Sequence, residues 1–167
     1  MNALLLLTIL FEGWGAYWAP AAGGPVTPII EAVATDSASD GERHLIAWYA
    51  SDGVRLGIFD AGAIAPRFST TVDDDFDPAH PPVTAWTGSR YLVFWTSGGM
   101  AHGVSLTRDG EILQRADLPD VTSADDVAAN GDTIALLQLY RTAAHSGNLD
   151  LILLSPEFET LRRTPLG

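Results

Sequence analysis

The stretch Val83-Thr-Ala-Trp86-Thr-Gly88-Ser-Arg-Tyr91-Leu-Val-Phe-Trp95 constrains the fold most, because degraded copies stand on either side of it. Upstream, Ala32-Val-Ala-Thr35 leads through a polar turn into Arg43-His-Leu-Ile-Ala-Trp48. Downstream stands Asp126-Val-Ala-Ala129-Asn-Gly-Asp132-Thr-Ile-Ala-Leu-Leu137. A spacing of 47 residues separates Trp48 from Trp95, and 42 separate Trp95 from Leu137, which takes the Trp position in the third copy. Within each copy, β-branched and aromatic runs are broken by Gly or Asp-Gly. That is hairpin chemistry, since Gly reaches positive φ without a Cβ clash.

Each copy reads as four short strands. In the middle one these are 82–86, 90–96, 100–106 and 111–118, with turns at Thr87-Gly88-Ser89, Ser97-Gly98-Gly99 and Arg108-Asp109-Gly110. The upstream copy gives 43–50, 54–59 and a weaker 64–70; the downstream copy gives 132–140, 148–154 and 158–162. No stretch from Glu31 onward keeps a helical period, so helix is expected to be nearly absent. Four-stranded units repeating every forty-odd residues imply an all-β, β-propeller-like array of four-stranded antiparallel blades. A β-sandwich with coincidentally similar hairpins is the competing architecture. The expected divisions are a first repeat over 29–72, an acidic loop over 73–81, and further repeats over 82–119 and 120–167.

The run Ala85–Trp95, followed by Gly103-Val-Ser-Leu-Thr-Arg-Asp109-Gly110-Glu-Ile-Leu113, resembles the β-propeller repeats of large bacterial secreted and cell-surface proteins. Those repeats pair a Tyr-Leu-Val-x-Trp strand with a later Asp-Gly hairpin. The likeness is good over 83–113, partial over 32–62 and poor over 126–161. It implies blade geometry, an extracytoplasmic setting and a binding or display role. It carries no ligand.

Three blades are fewer than the four to eight that close a propeller ring. A blade buries its faces only against its neighbours, so an incomplete ring leaves two apolar faces bare. A homo-oligomer or the remainder of a longer chain would close it. Residues 1–28 bear on the count. Asn2–Glu12 resembles Asn148–Glu159, the third and fourth strands of the last repeat, which makes three to three and a half blades. The other reading of the same segment is signal-like: an apolar run Ala3–Phe11 and a small-residue pattern Ala19-Pro-Ala21, but no Lys or Arg ahead of the run. Gly13–Pro28 reads as a Gly/Pro linker.

Charge narrows the partners. Nine Arg and no Lys face 21 acidic residues, for a net charge of −12, which repels nucleic acid and anionic membranes. No apolar run is long enough to span a bilayer as a helix. A protein or a glycan is the expected partner, and no cofactor is expected.

Candidate site residues are few. There is no Cys, no Gly-x-Ser-x-Gly elbow and no pairing cue among His44, His80, His102 and His145. Propeller glycosidases need two carboxylates on innermost strands. The repeat comparison puts Glu31, Pro82 and Asp125 there, so Glu31 and Asp125 are the catalytic candidates, against a reading as polar strand openers. Asp73, Asp75 and Asp77 could offer oxygen to Ca²⁺, but their spacing fits no known calcium loop, and a solvated acidic loop is the plainer reading. Trp86 ends a first strand beside a turn, where an indole could stack on a sugar ring or simply pack.

Overall fold

The computed structural model describes residues 35–141 and 147–166. Glu31, the 1–28 segment with its strand and signal readings, and His145 lie outside these described residues. The described chain is strand and turn: β1 (Thr35–Ser39), β2 (Arg43–Ala50), β3 (Gly53–Asp60), β4 (Phe68–Asp73), β5 (Val83–Trp86), β6 (Tyr91–Ser97), β7 (Met100–Leu106), β8 (Ile112–Leu118), β9 (Asp126–Asn130), β10 (Thr133–Arg141), β11 (Gly147–Leu154) and β12 (Thr160–Pro165). They form three four-stranded antiparallel sheets in chain order, the first from β1–β4, the second from β5–β8 and the third from β9–β12. Among the described residues no helix is long and apolar enough to cross a membrane.

One boundary differs from expectation. The polar stretch Asp36–Ser39 is strand, not turn, and pairs residue for residue with Ile46, Leu45 and His44 up to Ala47. Short polar residues suit it because β1 is an innermost strand, with Thr35, Ser37 and Ser39 exposed and Asp36 and Ala38 facing the next blade. The reversal is confined to Asp40-Gly41-Glu42, where Asp40 Oδ1 accepts from the Glu42 and Arg43 amides at 2.9 and 2.8 Å.

Strand β1 packs on β5, and β5 on β9, so these three line the inside of the array while β4, β8 and β12 form its outer edge. Blade 2 is sandwiched. Its face bearing Tyr91, Val93, Trp95, Val104 and Leu106 packs into a core with Leu45, Tyr49, Leu56 and Ile58 of blade 1. The opposite face, with Leu92 and Phe94, joins Ile134, Leu136, Ile152, Leu154 and Phe158 of blade 3. Period-2 alternation therefore serves two cores from one strand. The nearly uninterrupted apolar run of β6, buried at every position, is the result.

The pairing also fixes the repeat register. Asp36, Val83 and Asp126 face Ala47, Phe94 and Leu137, making them equivalent. One step earlier stand Thr35, Pro82 and Asp125. Thr35, rather than Glu31, thus occupies the position equivalent to Asp125. One step later on the second strands, Trp48 and Trp95 are matched by Gln138 and not by Leu137. Leu137, the apolar residue beside the Trp position, faces the other side of its strand. In each blade the fourth strand slips register against the third, at Val54/Arg55, Ser105/Leu106 and Leu153/Leu154.

Candidate functional site

All outer-to-inner connections described, 74–82 and 119–125, reach the inner strands at the same end, here called the upper rim. The hairpins Asp40-Gly41-Glu42 and Thr87-Gly88-Ser89 lie at the opposite, lower end. At the upper rim the acidic loop is stitched down. Asp73 Oδ2 accepts from Trp95 Nε1 at 2.7 Å, and Asp75 Oδ2 from Ser97 Oγ at 3.2 Å. The Asp77 amide donates to the Thr96 carbonyl at 2.8 Å. Tyr49 donates its hydroxyl to the His80 carbonyl at 2.6 Å and stacks on Phe76 at 4.4 Å. Burial holds the Tyr49 phenol well above its ordinary range.

This loop brings His80 to Asp125. His80 Nδ1 lies 2.8 Å from Asp125 Oδ1. Asp125 Oδ2 accepts from Ser123 Oγ and from the Leu139 amide, both at 2.6 Å. A carboxylate only accepts, so Nδ1 carries the proton and a neutral His80 keeps its Nε2 lone pair. Asp77 Oδ2 stands 3.9 Å from that Nε2. The His80 and Asp125 side chains are 20% and 22% exposed, so the pair is sheltered yet reachable. Such an arrangement can accept a hydrogen bond from a ligand hydroxyl at Nε2. When protonated, the ring places a cation between two carboxylates.

Of the candidates read from sequence, Asp125 and Asp77 come together around His80. Asp73 and Asp75 spend their oxygens on Trp95, Ser97 and the loop's own amides. Among the described residues no group of three or more His, Asp or Glu side chains is placed to hold a metal ion. Trp86 is half-buried at the lower rim, tilted against Tyr91 with centroids 4.7 Å apart. It lies at the other end of the inner strands from Asp125. His80 and Ser123 were missed, although a signal existed: each stands two residues ahead of the equivalent positions Pro82 and Asp125.

No protein-family model matches the chain, and no curated protein matches it. Solved structures do. A subtype N10 neuraminidase-like protein of A/little yellow-shouldered bat/Guatemala/060/2010 aligns with a TM-score of 0.53 at 9% identity, over 80% of this chain and 43% of that one. A subtype N11 neuraminidase-like protein of A/flat-faced bat/Peru/033/2010 aligns at 0.52 and 12%, over 79% and 40%. The shared feature is the propeller fold. An alpha-L-arabinofuranosidase from Clostridium thermocellum aligns at 0.48 and 10%, over 77% and 50%. The chain spans less than half the length of the first two structures, and its described residues form three open sheets, an incomplete ring.

Proposed function

We propose that the chain is a non-catalytic binding or scaffold module, a segment of an extracytoplasmic β-propeller whose upper-rim loops contact a protein or a glycan. The observation that supports this reading is the state of Asp125. Both of its oxygens are engaged, by His80, Ser123 and the Leu139 amide. Thr35 and Pro82 fill the two equivalent inner positions, so the described repeats supply no matched second acid. Glycoside hydrolysis needs two carboxylates held about 5–10 Å apart, one of them able to donate a proton. A loop anchored through Asp73, Asp75, Asp77 and Tyr49 is instead preorganised for recognition.

The second reading is part of a propeller glycoside hydrolase. It draws on Asp77 and Asp125, which flank His80. One experiment separates the two. Neutral oligosaccharides and basic peptides are titrated calorimetrically against the chain and His80→Ala, and aryl glycosides are offered to both. Saturable binding lost in His80→Ala, with no sugar released, supports the binding module. Release of sugar that disappears in Asp125→Asn overturns it in favour of the hydrolase.

A further inference from the structure

The turn Asp77-Pro78-Ala79-His80 presents two ligand-type atoms on a clamped frame. Proline is favoured at the second position of such a turn, and the His80 amide closes it on the Asp77 carbonyl at 3.1 Å. Both ends are tied to the blades. The Asp77 amide donates to the Thr96 carbonyl at 2.8 Å, and the His80 carbonyl accepts from the Tyr49 hydroxyl at 2.6 Å. Asp77 Oδ1 accepts from the Ala79 amide at 2.9 Å. That leaves Oδ2 facing His80 Nε2, 3.9 Å away, and both side chains reach solvent.

The other ring nitrogen is already committed. Asp125 Oδ1 holds the Nδ1 proton at 2.8 Å, and Asp125 is itself fixed by Ser123 and the Leu139 amide. A carboxylate on one nitrogen and a lone pair on the other is how an outer acid orients a metal-ligating histidine and raises its basicity. His102 makes the contrast. Its Nδ1 lies 2.8 Å from Asp117 and its Nε2 3.3 Å from the Ser97 carbonyl, so each nitrogen already faces a protein oxygen within hydrogen-bond reach. Among the described residues His80 Nε2 has no such partner.

We propose that His80 Nε2 and Asp77 Oδ2 bind a divalent ion of the zinc class, with Asp125 as the positioning residue. Bonds of about 2.0–2.1 Å at a tetrahedral angle set two ligand atoms about 3.4 Å apart, so a side-chain rotation closing about half an ångström seats both. Imidazole beside a carboxylate selects such borderline ions over Ca²⁺ and Mg²⁺, which take oxygen throughout. The remaining positions are left to water or to a donor atom on a bound molecule. The site does not rest on the rim's binding a protein or a glycan.

The test titrates Zn²⁺ alone, by calorimetry, into the untagged full chain with excess Ca²⁺ present to occupy surface carboxylates. The expected result is saturable binding of one ion per chain. In two-bond nitrogen–proton spectra of the unsubstituted protein, Zn²⁺ shifts the His80 Nε2 resonance and leaves that of His102 in place. His80→Ala abolishes the binding and His102→Ala does not. Asp77→Asn, which keeps the acceptor for the Ala79 amide, weakens it at least tenfold. Asp125→Asn keeps both ligands yet weakens binding about 10- to 100-fold and loosens the His80 tautomer. Far-UV circular dichroism checks that each variant keeps its strand signature, and the unsubstituted spectrum decides the matter should one unfold. Heat without saturation, a zinc shift at another histidine in place of His80, or an affinity indifferent to Asp77→Asn overturns the proposal.

Discussion

Asp36 Oδ2 accepts two hydrogen bonds from Thr84, from its amide at 2.7 Å and its hydroxyl at 3.0 Å, across the seam between the inner strands of blades 1 and 2. Thr84 is buried, so Asp36→Ala strands two donors at once. The expected loss is about 2–4 kcal/mol, from an unmet cost of about 1–3 kcal/mol per buried group. Urea unfolding reads it as a lower midpoint at unchanged slope. Asp36→Asn, which keeps an acceptor oxygen, should lose less than half as much.

Glycines in the turns differ in what surrounds them. Gly53 has φ 119° and an added Cβ would overlap the Asp73 carbonyl, whereas Gly41, at φ 95°, has open space. Gly41→Ala is expected to cost about 1 kcal/mol, from backbone strain alone. Gly53→Ala adds a backbone collision and should cost about 3 kcal/mol or more. Equal costs in thermal unfolding would contradict the geometry.

The tautomer of His80 is set by Asp125. Two-bond nitrogen–proton correlation spectra should show neutral His80 protonated at Nδ1. Asp125→Asn replaces a pure acceptor by a group that can also donate, and the Nδ1 form should lose its dominance. An Nε2–H form in the unsubstituted protein would break the proposed arrangement of the rim.

At the lower rim, Arg108 Nε lies 2.6 Å from Asp40 Oδ2, and the Asp40 side chain has no exposed surface. The guanidinium holds the Asp40 carboxyl far below its usual 3.8, with the Glu42 and Arg43 amides assisting against a desolvation that opposes them. A depressed carboxyl pKa contributes stability that is present above the unfolded value and lost as pH falls through the folded one. Arg108→Met should therefore lower the urea midpoint at neutral pH. The gap to the unsubstituted chain should shrink between about pH 4 and pH 2.

Tyr91 gives the opposite limb. Burial, then the Asp40 charge, pushes its hydroxyl up to about 12. A raised phenol pKa contributes stability that is whole below about pH 10 and is lost as pH rises through the folded value. Tyr91→Phe loses the hydrogen bond to the Arg43 carbonyl, 3.1 Å away, and should be about 1 kcal/mol less stable at pH 7. Above about pH 11 the difference should narrow, because only the tyrosine must ionise. Parallel curves in alkaline denaturation would reject this.

Much of the architecture was legible because hairpin chemistry is local. Gly88 and Gly110, both at positive φ, mark turns that any four-residue window reveals, and β7 begins and ends where its sequence suggests. The innermost strand of blade 1 was not legible. Ser and Asp at 36–39 look like turn residues until the neighbouring blade supplies Thr84 for Asp36 to hold. Register was misread by one residue for a similar reason: Gln138 fills the Trp position by means of Thr122 and Arg163, a polar solution that no apolar pattern reports. The site was half legible. Asp125 and Asp77 stood out as acids, while His80 looked solitary because its partner lies one blade away in the chain.

The register slip in each fourth strand weakens the described outer edges as templates for strand addition. A bulged strand is twisted and offers an interrupted row of amides and carbonyls to an approaching chain. The outermost strands β4, β8 and β12 all end their pairing this way, and β12 adds Arg162 and Arg163. Strand addition at the outer edges therefore meets a break in the hydrogen-bond ladder on each described blade.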